Sequence, residues 1–460
     1  MIEPTFVPSA AAEYRKPEGA WAGPSLDDRL GPDPDVARVA GGLRAAGVRP
    51  GDVVTWQSPN RDEVRIAFRA CWRIGAIAAP IHHLLGPSEV AALTSRLDPA
   101  LRLGIDDLPR GEPVTTPWLD SESLAAVLFT SGSSGTPKGV LHSQATLAAK
   151  ATTMRQVHDI GPDDVVLMPA PCAHISGLLN GITLPGIAGA RTVFMAKWDP
   201  DAALDLIERE RVTFMVGPPT FFVSLMDSDR FSTARVASMR LISSGGAGVS
   251  AMFVERAQRE FSARVKRTYG STEAPTVATS WASDPPDHDA THDGRAVGDV
   301  ELSVSTTGEL LIRGPEVCLG YLDPIETAAA FDAEDWFHTG DLATIDADGW
   351  LTIVGRVNDV IIRGGENIAA AEVEAILMAH PVIRSAAVVA VEDERLGERV
   401  RAFVTVAPGT SFDATACRTW FDDRGVARYK TPEFVDVVDA LPMLPTGKPD
   451  KAALRGRQLH

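Results

Sequence analysis

One ten-residue stretch, Thr130 to Gly139, constrains the fold of this chain more than any other. Its sequence is Thr-Ser-Gly-Ser-Ser-Gly-Thr-Pro-Lys-Gly, and it follows an apolar run from Leu124 to Phe129 that predicts a buried strand. Apolar residues at helical spacing follow from Gln144 to Met154, so we predict a loop between a strand and a helix. Its glycines leave backbone N–H groups unscreened, and its hydroxyls and Lys138 add donors. This is the chemistry of a polyphosphate-binding loop.

The position of the lysine excludes the P-loop of nucleoside triphosphatases. That motif places Lys directly after its second Gly, with Ser or Thr next, whereas Thr136 and Pro137 separate Gly135 from Lys138 here. A flexible Gly/Ser linker is the alternative interpretation. Linkers are not expected between a buried strand and a helix in mid-chain, so the phosphate-binding interpretation is favoured.

Length and composition indicate a protein of at least two domains that acts on small molecules. The chain has 460 residues, which exceeds the size at which a single core stops growing. Its net charge of −17 argues against nucleic acid and anionic membranes as partners. It has no apolar run long enough to span a membrane, and no N-terminal basic region followed by an apolar core. We therefore expect a cytoplasmic protein. Its four widely spaced cysteines are expected to be reduced and mostly buried.

Helices and strands are predicted to alternate after a proline-rich, irregular arm of about 35 residues. A helical pattern over 36–46 precedes a strand at 52–56, and a second helix over 63–74 precedes a strand at 76–81. This alternation indicates a parallel sheet with crossover helices, which is an α/β fold. Beyond residue 359, shorter strands and helices indicate a compact α+β region of a size usual for a separate domain.

The stretch from Thr130 to Gly139 resembles the phosphate-binding signature of the adenylate-forming superfamily. That superfamily contains acyl-CoA synthetases, the adenylation domains of peptide synthetases and firefly luciferase. Further motifs in the same order extend the resemblance from about Asp35 to Arg455. It implies a large N-terminal AMP-binding and acyl-pocket domain of layered sheets with flanking helices, residues 1–355. A small mobile C-terminal α+β domain, residues 356–460, would move about a hinge near Asn358, where the family usually has Asp or Lys.

The resemblance also implies which residues bind the nucleotide. They are Thr130, Ser131, Gly132, Ser133, Ser134, Gly135, Thr136, Lys138, Gly245, Gly246, Ala247, Tyr269, Gly270, Ser271, Thr272, Asp341, Arg356 and Lys448. Within this set Tyr269 is expected near adenine, Thr272 at the α-phosphate and Asp341 at the ribose. A carboxylate beside polyphosphate is repulsive unless a cation lies between them, so Glu273 is interpreted as a Mg²⁺ ligand. Thr130, Thr272, Glu273 and Lys448 are the expected catalytic residues.

The expected acyl pocket contains His174, Ile175, Gly217 and Pro218. A lone His after a strand is more often structural, but His174 falls where the family carries a His or aromatic residue in the pocket wall. Peptide synthetase domains place an Asp nearby to pair with the substrate amine, and this stretch has none. We therefore expect an uncharged, medium-length, alicyclic or aromatic carboxylic acid. By the same resemblance, Gly364 and Gly365 line the path of the coenzyme A thiol.

The implied activity is that of an acid–thiol ligase that uses ATP, Mg²⁺ and coenzyme A. A carboxylate attacks the α-phosphate of ATP, pyrophosphate leaves, and coenzyme A then takes the acyl group from the acyl-adenylate. Three alternatives stay open: a ligase that loads a carrier protein, a luciferase-like oxidase, and a catalytically inactive nucleotide-binding protein. No nucleic-acid partner is expected, and a homodimer is compatible with the sequence.

Overall fold

The structure is a computed structural model, and it describes residues 26–456 except 119, 131–136, 247, 364–365, 394–395 and 445–447. Packing divides the chain into two compact units. Unit 1 comprises the residues up to 302 together with 311–338, and unit 2 comprises 303–310 and the residues from 339 onward. The boundary predicted after residue 355 concerns a hinge, which a division by packing does not address, and it stays a prediction.

Between residues 34 and 81, helices and strands of unit 1 alternate in the order that the sequence predicts. Its helices are α1 Leu26–Arg29, α2 Pro34–Ala45, α3 Asp62–Arg73, α4 Pro87–Leu97, α5 Gln144–His158, α6 Ile175–Leu178, α7 Leu184–Ala188, α8 Pro200–Glu210, α9 Pro219–Met226, α10 Ala251–Phe261 and α11 Pro324–Ala330. Its strands are β1 Val53–Gln57, β2 Ile77–Ile81, β3 Leu101–Arg102, β4 Leu124–Thr130, β5 Lys138–Ser143, β6 Val165–Met168, β7 Arg191–Phe194, β8 Phe214–Gly217, β9 Leu241–Gly245, β10 Arg264–Tyr269, β11 Ala278–Thr279 and β12 Gly294–Ala296.

The first sheet of unit 1 has the order β3-β1-β2-β4-β5. Strands β1 to β4 are parallel, and the run of buried residues along β2 suits a strand covered on both faces. Helix α3 packs on this sheet through the fully buried Phe68 and Trp72, and Trp72 Nε1 donates to the Ala125 carbonyl at 3.0 Å. Burial of a side chain such as Phe68 contributes about 1.5–3 kcal/mol to folding.

The prediction that the phosphate loop runs from a strand into a helix is wrong. The loop joins the antiparallel strands β4 and β5, in which Thr130 lies opposite Lys138. The apolar residues Val140 and Leu141 are fully buried in β5, which extends the hairpin before the next helix. Helix α5 begins only after Ser143, whose hydroxyl caps it by accepting from the backbone of Thr146.

The second sheet of unit 1 contains the strand order β7-β6-β8-β9-β10-β11-β12. Strands β7, β6, β8, β9 and β10 are parallel, and β11 and β12 continue antiparallel. The carboxyl ends of the parallel strands therefore share one edge of the sheet, which is where ligands bind in open α/β folds. That edge carries the ends of β6, β8, β9 and β10 and the segments after them, where the sequence places many of the expected site residues.

The arm predicted over residues 1–35 enters the core of unit 1 earlier than expected. In the short helix α1, Leu26 and Asp27 are fully buried. Burial raises the pKa of Asp27, and the guanidinium groups of Arg69 and Arg73, at 2.9 and 2.7 Å, oppose that shift. A buried carboxylate between two arginines is stable only while both partners remain, so α1 is fixed to α3 by charge as well as by packing.

Unit 2 contains the α+β region that the sequence predicts. Its helices are α12 Ala370–Met378, α13 Ala414–Asp422 and α14 Lys451–Arg455. Strands β13 Glu301–Val304, β14 Glu309–Arg313 and β15 Phe337–Ile345 are divided between the units, and β16 Trp350–Arg356, β17 Val360–Arg363, β18 Glu366–Ala369, β19 Ile383–Asp393, β20 Gly397–Val406 and β21 Phe434–Val437 belong to unit 2. The last five form a sheet of order β18-β17-β20-β19, with β21 paired to β20.

Two further observations bear on the sequence-based expectations. All four cysteines are free, and all are buried as the sequence predicts. Among the described residues, no helix combines the length and the apolar character that a membrane crossing requires.

Candidate active site

The two ends of the phosphate loop are held together by the β4–β5 hairpin. Thr130 and Lys138 are cross-strand partners, and Arg96 donates to the Pro137 carbonyl at 2.5 Å. The Lys138 ammonium lies 4.9 Å from the centre of the Tyr321 ring. The predicted ligands between them, Ser131, Gly132, Ser133, Ser134, Gly135 and Thr136, lie outside the described residues. What is described fixes where the loop begins and ends.

Residues 318–322, here called the strap, run beside β5, which is the strand that directly follows the phosphate loop. Leu322 N donates to the Gly139 carbonyl at 2.8 Å, and Leu141 N donates to the Gly320 carbonyl at 2.9 Å. At the other end of the strap, Cys318 N donates to the Glu273 carbonyl at 2.7 Å. The strap thus ties the strand that follows the phosphate loop to the turn that carries the predicted metal ligand.

The side chain of Glu273 is positioned by the strap as well. The Tyr321 hydroxyl donates to Glu273 Oε1 at 2.8 Å. Burial of the phenol, together with the nearby carboxylate, raises the pKa of Tyr321, so the hydroxyl keeps its hydrogen and acts as the donor. Tyr321 is only 6% exposed and also lies beneath Lys138. Sequence reasoning missed Tyr321, because nothing local in the chain connects it to either partner.

The backbone of Thr272 is held by a buried histidine on β5. His142 Nε2 lies 2.8 Å from the Thr272 carbonyl oxygen. Burial lowers the pKa of His142 to about 4, so the ring is neutral near pH 7. A carbonyl oxygen can only accept, which assigns the imidazole hydrogen to Nε2. This hydrogen bond connects the first sheet to the turn after β10, and the sequence analysis missed it.

The turn that follows Tyr269 is compact and cannot accept a larger residue at its glycine. A Cβ atom on Gly270 would lie 2.2 Å from the Thr276 backbone nitrogen. Ser271 closes the turn twice, since its N–H donates to the Ala274 carbonyl at 3.0 Å and its hydroxyl accepts from Ala274 N at 3.1 Å. Tyr269, Gly270, Ser271, Thr272 and Glu273 are therefore presented as one rigid unit at the end of β10.

A buried ion pair contacts the backbone of the same turn. Lys150 of α5 donates to the Thr276 carbonyl at 3.1 Å and lies 2.6 Å from Glu316, with both charged side chains almost completely buried. The Thr153 hydroxyl also donates to Glu316, at 2.5 Å. Sequence analysis missed this pair, although a signal exists. Lys150 falls on the apolar stripe of α5, three residues after Leu147, where a charge requires a buried partner.

The expected adenine-binding residues follow β9 at the same sheet edge. Gly245 is the last residue of β9, and a Cβ atom there would lie 2.2 Å from the Thr268 carbonyl oxygen. Gly246 has a φ of +74°, which glycine adopts without strain. Ala247 lies outside the described residues. A side chain at Gly245 would therefore clash and one at Gly246 would be strained, so these two positions require glycine.

The expected acyl residues lie on that edge, where Gly217 ends β8 and Pro218 precedes α9. The Ser244 hydroxyl of β9 donates to the Gly217 carbonyl at 3.1 Å. A Cβ atom on Gly217 would lie 2.7 Å from the Phe221 ring, which is itself stacked on Trp198 with centroids 4.3 Å apart. Only glycine therefore leaves room for this aromatic pair next to the strand end.

His174 and Ile175 lie at the start of α6, after β6, and belong to a group of three histidines. The His174 ring contacts that of His82 at a centroid distance of 4.9 Å, and His82 stacks on His83 at 4.8 Å with an interplanar angle of 18°. Burial, together with neighbouring imidazoles, lowers the pKa of His82 and of His174 to about 4. Sequence analysis missed His82 and His83, although adjacent histidines directly after a buried strand are a visible signal.

Three of the expected residues come together in unit 2. Asp341 and Arg356 are opposed on β15 and β16, and Arg356 Nε donates to Asp341 Oδ1 at 2.6 Å. Lys448 is exposed along its side chain, yet desolvation of its ammonium and the charge of Arg356 lower the pKa of Lys448, while Asp341 opposes the shift. Asn358 lies in a single helical turn, Val357–Asp359, and its side chain is outside the description. Gly364 and Gly365 lie outside the described residues.

The donor set around Glu273 fits the Mg²⁺ that accompanies ATP. Mg²⁺ keeps several waters and is held by one or two carboxylates together with substrate phosphates, so a single positioned carboxylate is sufficient. Tyr321 engages Oε1 of Glu273 and fixes the orientation of the carboxylate. Over the described residues, no group of three His, Cys, Asp or Glu side chains forms an all-protein metal site.

Comparison with known proteins places the chain in a family. The family model of AMP-binding enzymes matches residues 33–109 and 97–322, and the model of the AMP-binding enzyme C-terminal domain matches 372–448. The medium-chain fatty-acid–CoA ligase of Escherichia coli is 33% identical over 91% of this chain and 83% of its own length. The feruloyl-CoA synthase of an Amycolatopsis species is 33% identical over 92% of each chain.

A solved structure agrees with these relatives. ATP-bound MatB from Rhodopseudomonas palustris matches with a TM-score of 0.84 and 28% identity, over 94% of this chain and 92% of MatB. The fold class predicted from the motifs, layered α/β sheets with a smaller C-terminal domain, is confirmed. The chain therefore belongs to the AMP-binding enzyme family, in the acyl-CoA ligase branch of the adenylate-forming superfamily.

Proposed function

We propose that this protein is an ATP-dependent acid–thiol ligase. It activates a carboxylic acid as acyl-AMP with release of pyrophosphate and transfers the acyl group to coenzyme A, giving acyl-CoA and AMP. The single observation that carries the proposal is the path from Lys138 across the Tyr321 ring to Glu273. It brings the end of a phosphate-binding loop and a metal-binding carboxylate together in a member of the acyl-CoA ligase branch.

In the first step two anions must react, so neutralising charge matters more than acid–base catalysis. A carboxylate oxygen of the substrate forms a bond to the α-phosphorus of ATP, and the bond to pyrophosphate breaks. Glu273 would hold Mg²⁺, which supplies positive charge to the phosphates. Lys138, the loop from Thr130 and the hydroxyl of Thr272 bind and orient the triphosphate. The neutral ring of His142 holds the Thr272 backbone without adding a charge of its own.

The residues of unit 2 complete the assignment. The superfamily motif gives Lys448 the role of a positive contact in the adenylation step, and Asp341 with Arg356 the role of ribose and phosphate ligands. The lowered pKa of Lys448 and the short bond between Asp341 and Arg356 support a charged cluster made for an anionic ligand. In the second step, motion about Asn358 would bring Gly364 and Gly365 to the thiol path.

The acyl group is proposed to lie at the strand ends that carry Gly217, Pro218, His174 and Ile175. Phe221 packs close beside Gly217, and the ring of His174 is neutral, so no fixed charge lies on these residues. An uncharged acid of medium length, alicyclic or aromatic, suits such a surface. The relatives that act on a medium-chain fatty acid and on a feruloyl group support the same range. Four free, buried cysteines and the use of ATP support a cytoplasmic location.

The test is a carboxylic acid panel with the full chain, Mg·ATP and coenzyme A. Pyrophosphate release is measured with and without coenzyme A, and acyl-CoA and AMP are detected by mass spectrometry. Acid-dependent pyrophosphate release together with acyl-CoA is the expected result. Release with no thioester, but with acylation of a phosphopantetheinylated carrier protein, would favour the carrier-loading alternative. ATP binding without release from any acid would favour an inactive nucleotide-binding protein.

A further inference from the structure

Three histidine rings form one cluster at the junction of the two sheets of unit 1. His82 and His83 follow the carboxyl end of β2, and His174 follows that of β6. His82 lies between the other two, stacked on His83 and tilted by 44° against His174. The first sheet thus contributes two rings and the second contributes one.

The turns that carry these rings are fixed by hydrogen bonds from buried or strand-end side chains. Gln57, the last residue of β1, donates to the carbonyl groups of His82 and Leu85 at 3.0 and 2.9 Å. Asn60 is 5% exposed, and it donates to the Ala170 carbonyl at 2.7 Å and accepts from Cys172 N at 2.8 Å. The segment leading to His174 is therefore fastened to the end of the first sheet, and the cluster has a defined geometry.

The hydrogen-bonding capacity of the cluster is only partly used. Leu84 N donates to His82 Nδ1 at 3.1 Å, so Nδ1 is the acceptor and the neutral ring carries its hydrogen on Nε2. His83 Nδ1 is buried and has no hydrogen-bond partner among the described residues. Within the described parts of the chain, no group of three His, Cys, Asp or Glu side chains is arranged to hold a metal ion. A buried, unpaired ring nitrogen calls for a polar partner from elsewhere.

We propose that His82 and His83, together with His174, determine substrate specificity by selecting an acid with a planar, conjugated acyl group that carries a hydrogen-bonding oxygen. The inference rests on the proposed ligase function and narrows its substrate class. Flat rings in contact favour another π face, and the unpaired Nδ1 of His83 favours a hydroxyl or ether oxygen. A saturated alkyl chain would cover this nitrogen without pairing it, which disfavours an alkyl substrate.

The test compares three acids of similar size: 3-(4-hydroxyphenyl)propenoic acid, 3-phenylpropenoic acid and octanoic acid. For the wild-type protein, kcat/KM for pyrophosphate release should fall in that order. His83→Phe keeps a flat ring and removes the unpaired nitrogen, so the preference for the hydroxylated over the plain aryl acid should fall by about tenfold. His83→Leu removes the ring as well, and the preference for aryl over alkyl acids should fall in addition.

Controls separate recognition from a structural effect. His82→Phe is a second variant of the cluster, and His288→Phe is the matched control, because the ring of His288 packs against His292 in another loop. Calorimetry measures the affinity for non-hydrolysable acyl-sulfamoyl adenosines that carry the three acyl groups. In the cluster variants, the ratio of these affinities should change by the same factor as the ratio of kcat/KM values. In His288→Phe, the affinities should stay unchanged. A loss of equal size for all three acids would show a merely structural role and overturn the inference.

The wild-type protein alone can also overturn it, by using octanoic acid better than both aryl acids. That result would leave the ligase function intact. Absence of pyrophosphate release with every acid would instead overturn the ligase proposal, and the inference with it.

Discussion

Tyr321 donates its phenolic hydrogen to Oε1 of Glu273 at 2.8 Å, across 48 residues of chain. The backbone on both sides of Tyr321 pairs with β5, the strand that begins at Lys138. One residue of the strap therefore sets the distance between the end of the phosphate loop and the carboxylate proposed to bind Mg²⁺. Because the Glu273 carboxylate is already oriented, it loses little conformational entropy when the metal–nucleotide complex binds.

Replacing Tyr321 by Phe should weaken the Mg²⁺ dependence of adenylation more than it weakens folding. The ring stays beneath Lys138, but Glu273 loses a hydrogen bond to a charged group, which is worth about 1.5–3 kcal/mol. We expect the Mg²⁺ concentration for half-maximal pyrophosphate release to rise and kcat/KM at low Mg²⁺ to fall by about tenfold or more. A Mg²⁺ titration measures both.

Tyr429→Phe is the matched control, since its ring lies near Lys430 in unit 2. It should leave the Mg²⁺ titration unchanged. A Tyr321→Phe protein with wild-type Mg²⁺ dependence would contradict the positioning role of Tyr321.

The bond from His142 to the Thr272 carbonyl should make stability depend on pH. Burial depresses the pKa of His142 from an unfolded value of 6.5 to about 4 in the folded protein. Between these values the unfolded chain binds more protons, so the contribution of His142 is fully present above pH 6.5 and is lost as the pH falls toward 4. Urea unfolding at several pH values measures the free energy of unfolding across that interval.

His142→Gln keeps a donor for the Thr272 carbonyl and removes the titrating group. The difference in unfolding free energy between wild type and variant should therefore shrink as the pH falls from 6.5 to 4. His142→Phe leaves the carbonyl unpaired, at a cost of about 1–3 kcal/mol, and should also lower adenylation. A wild-type minus Gln difference that is independent of pH would rule out a buried neutral histidine.

Removing the Lys448 ammonium should slow one half-reaction selectively. In Lys448→Ala a preorganised positive contact is lost, and adenylation should fall about 10²–10³-fold, or about 2.7–4 kcal/mol. Thioester formation from supplied acyl-adenylate should be largely spared. Lys430→Ala, which breaks an ion pair with Glu372, is the control and should affect neither step. An equal loss in both half-reactions would contradict the assignment of Lys448 to adenylation alone.

The positions of the site residues at strand ends were predictable from sequence, because buried apolar runs followed by Gly-rich segments mark strands and the loops after them. The glycines at 217, 245 and 270 follow this pattern. The β4–β5 hairpin was not predicted, because β5 begins inside the signature itself and has only two large apolar residues, Val140 and Leu141. Such a strand acquires its structure from pairing with β4 rather than from its own periodicity.

The side chains that support the site were less visible. Tyr321 and Glu273 are far apart in sequence, and His142 looks like an ordinary strand residue until its partner is known. Such long-range polar contacts have no local pattern, so sequence reasoning could not pair them. Lys150 is different, because a charged residue on the apolar face of α5 indicates that a buried partner exists. The sequence does not show that this partner is Glu316.

Removing one partner of the Lys150–Glu316 ion pair should lower the free energy of unfolding strongly, whereas replacing both partners by apolar residues should lower it little. Lys150→Met leaves the Glu316 carboxylate buried without its cation, which should lower the free energy of unfolding by about 3–5 kcal/mol. The double variant Lys150→Met with Glu316→Leu removes both charges and should recover most of that loss. Because Lys150 also holds the Thr276 carbonyl, both variants should loosen the turn of Gly270 and raise KM for ATP. Urea denaturation and ATP titration of pyrophosphate release measure the two effects, and additive stability losses in the double variant would contradict the coupling.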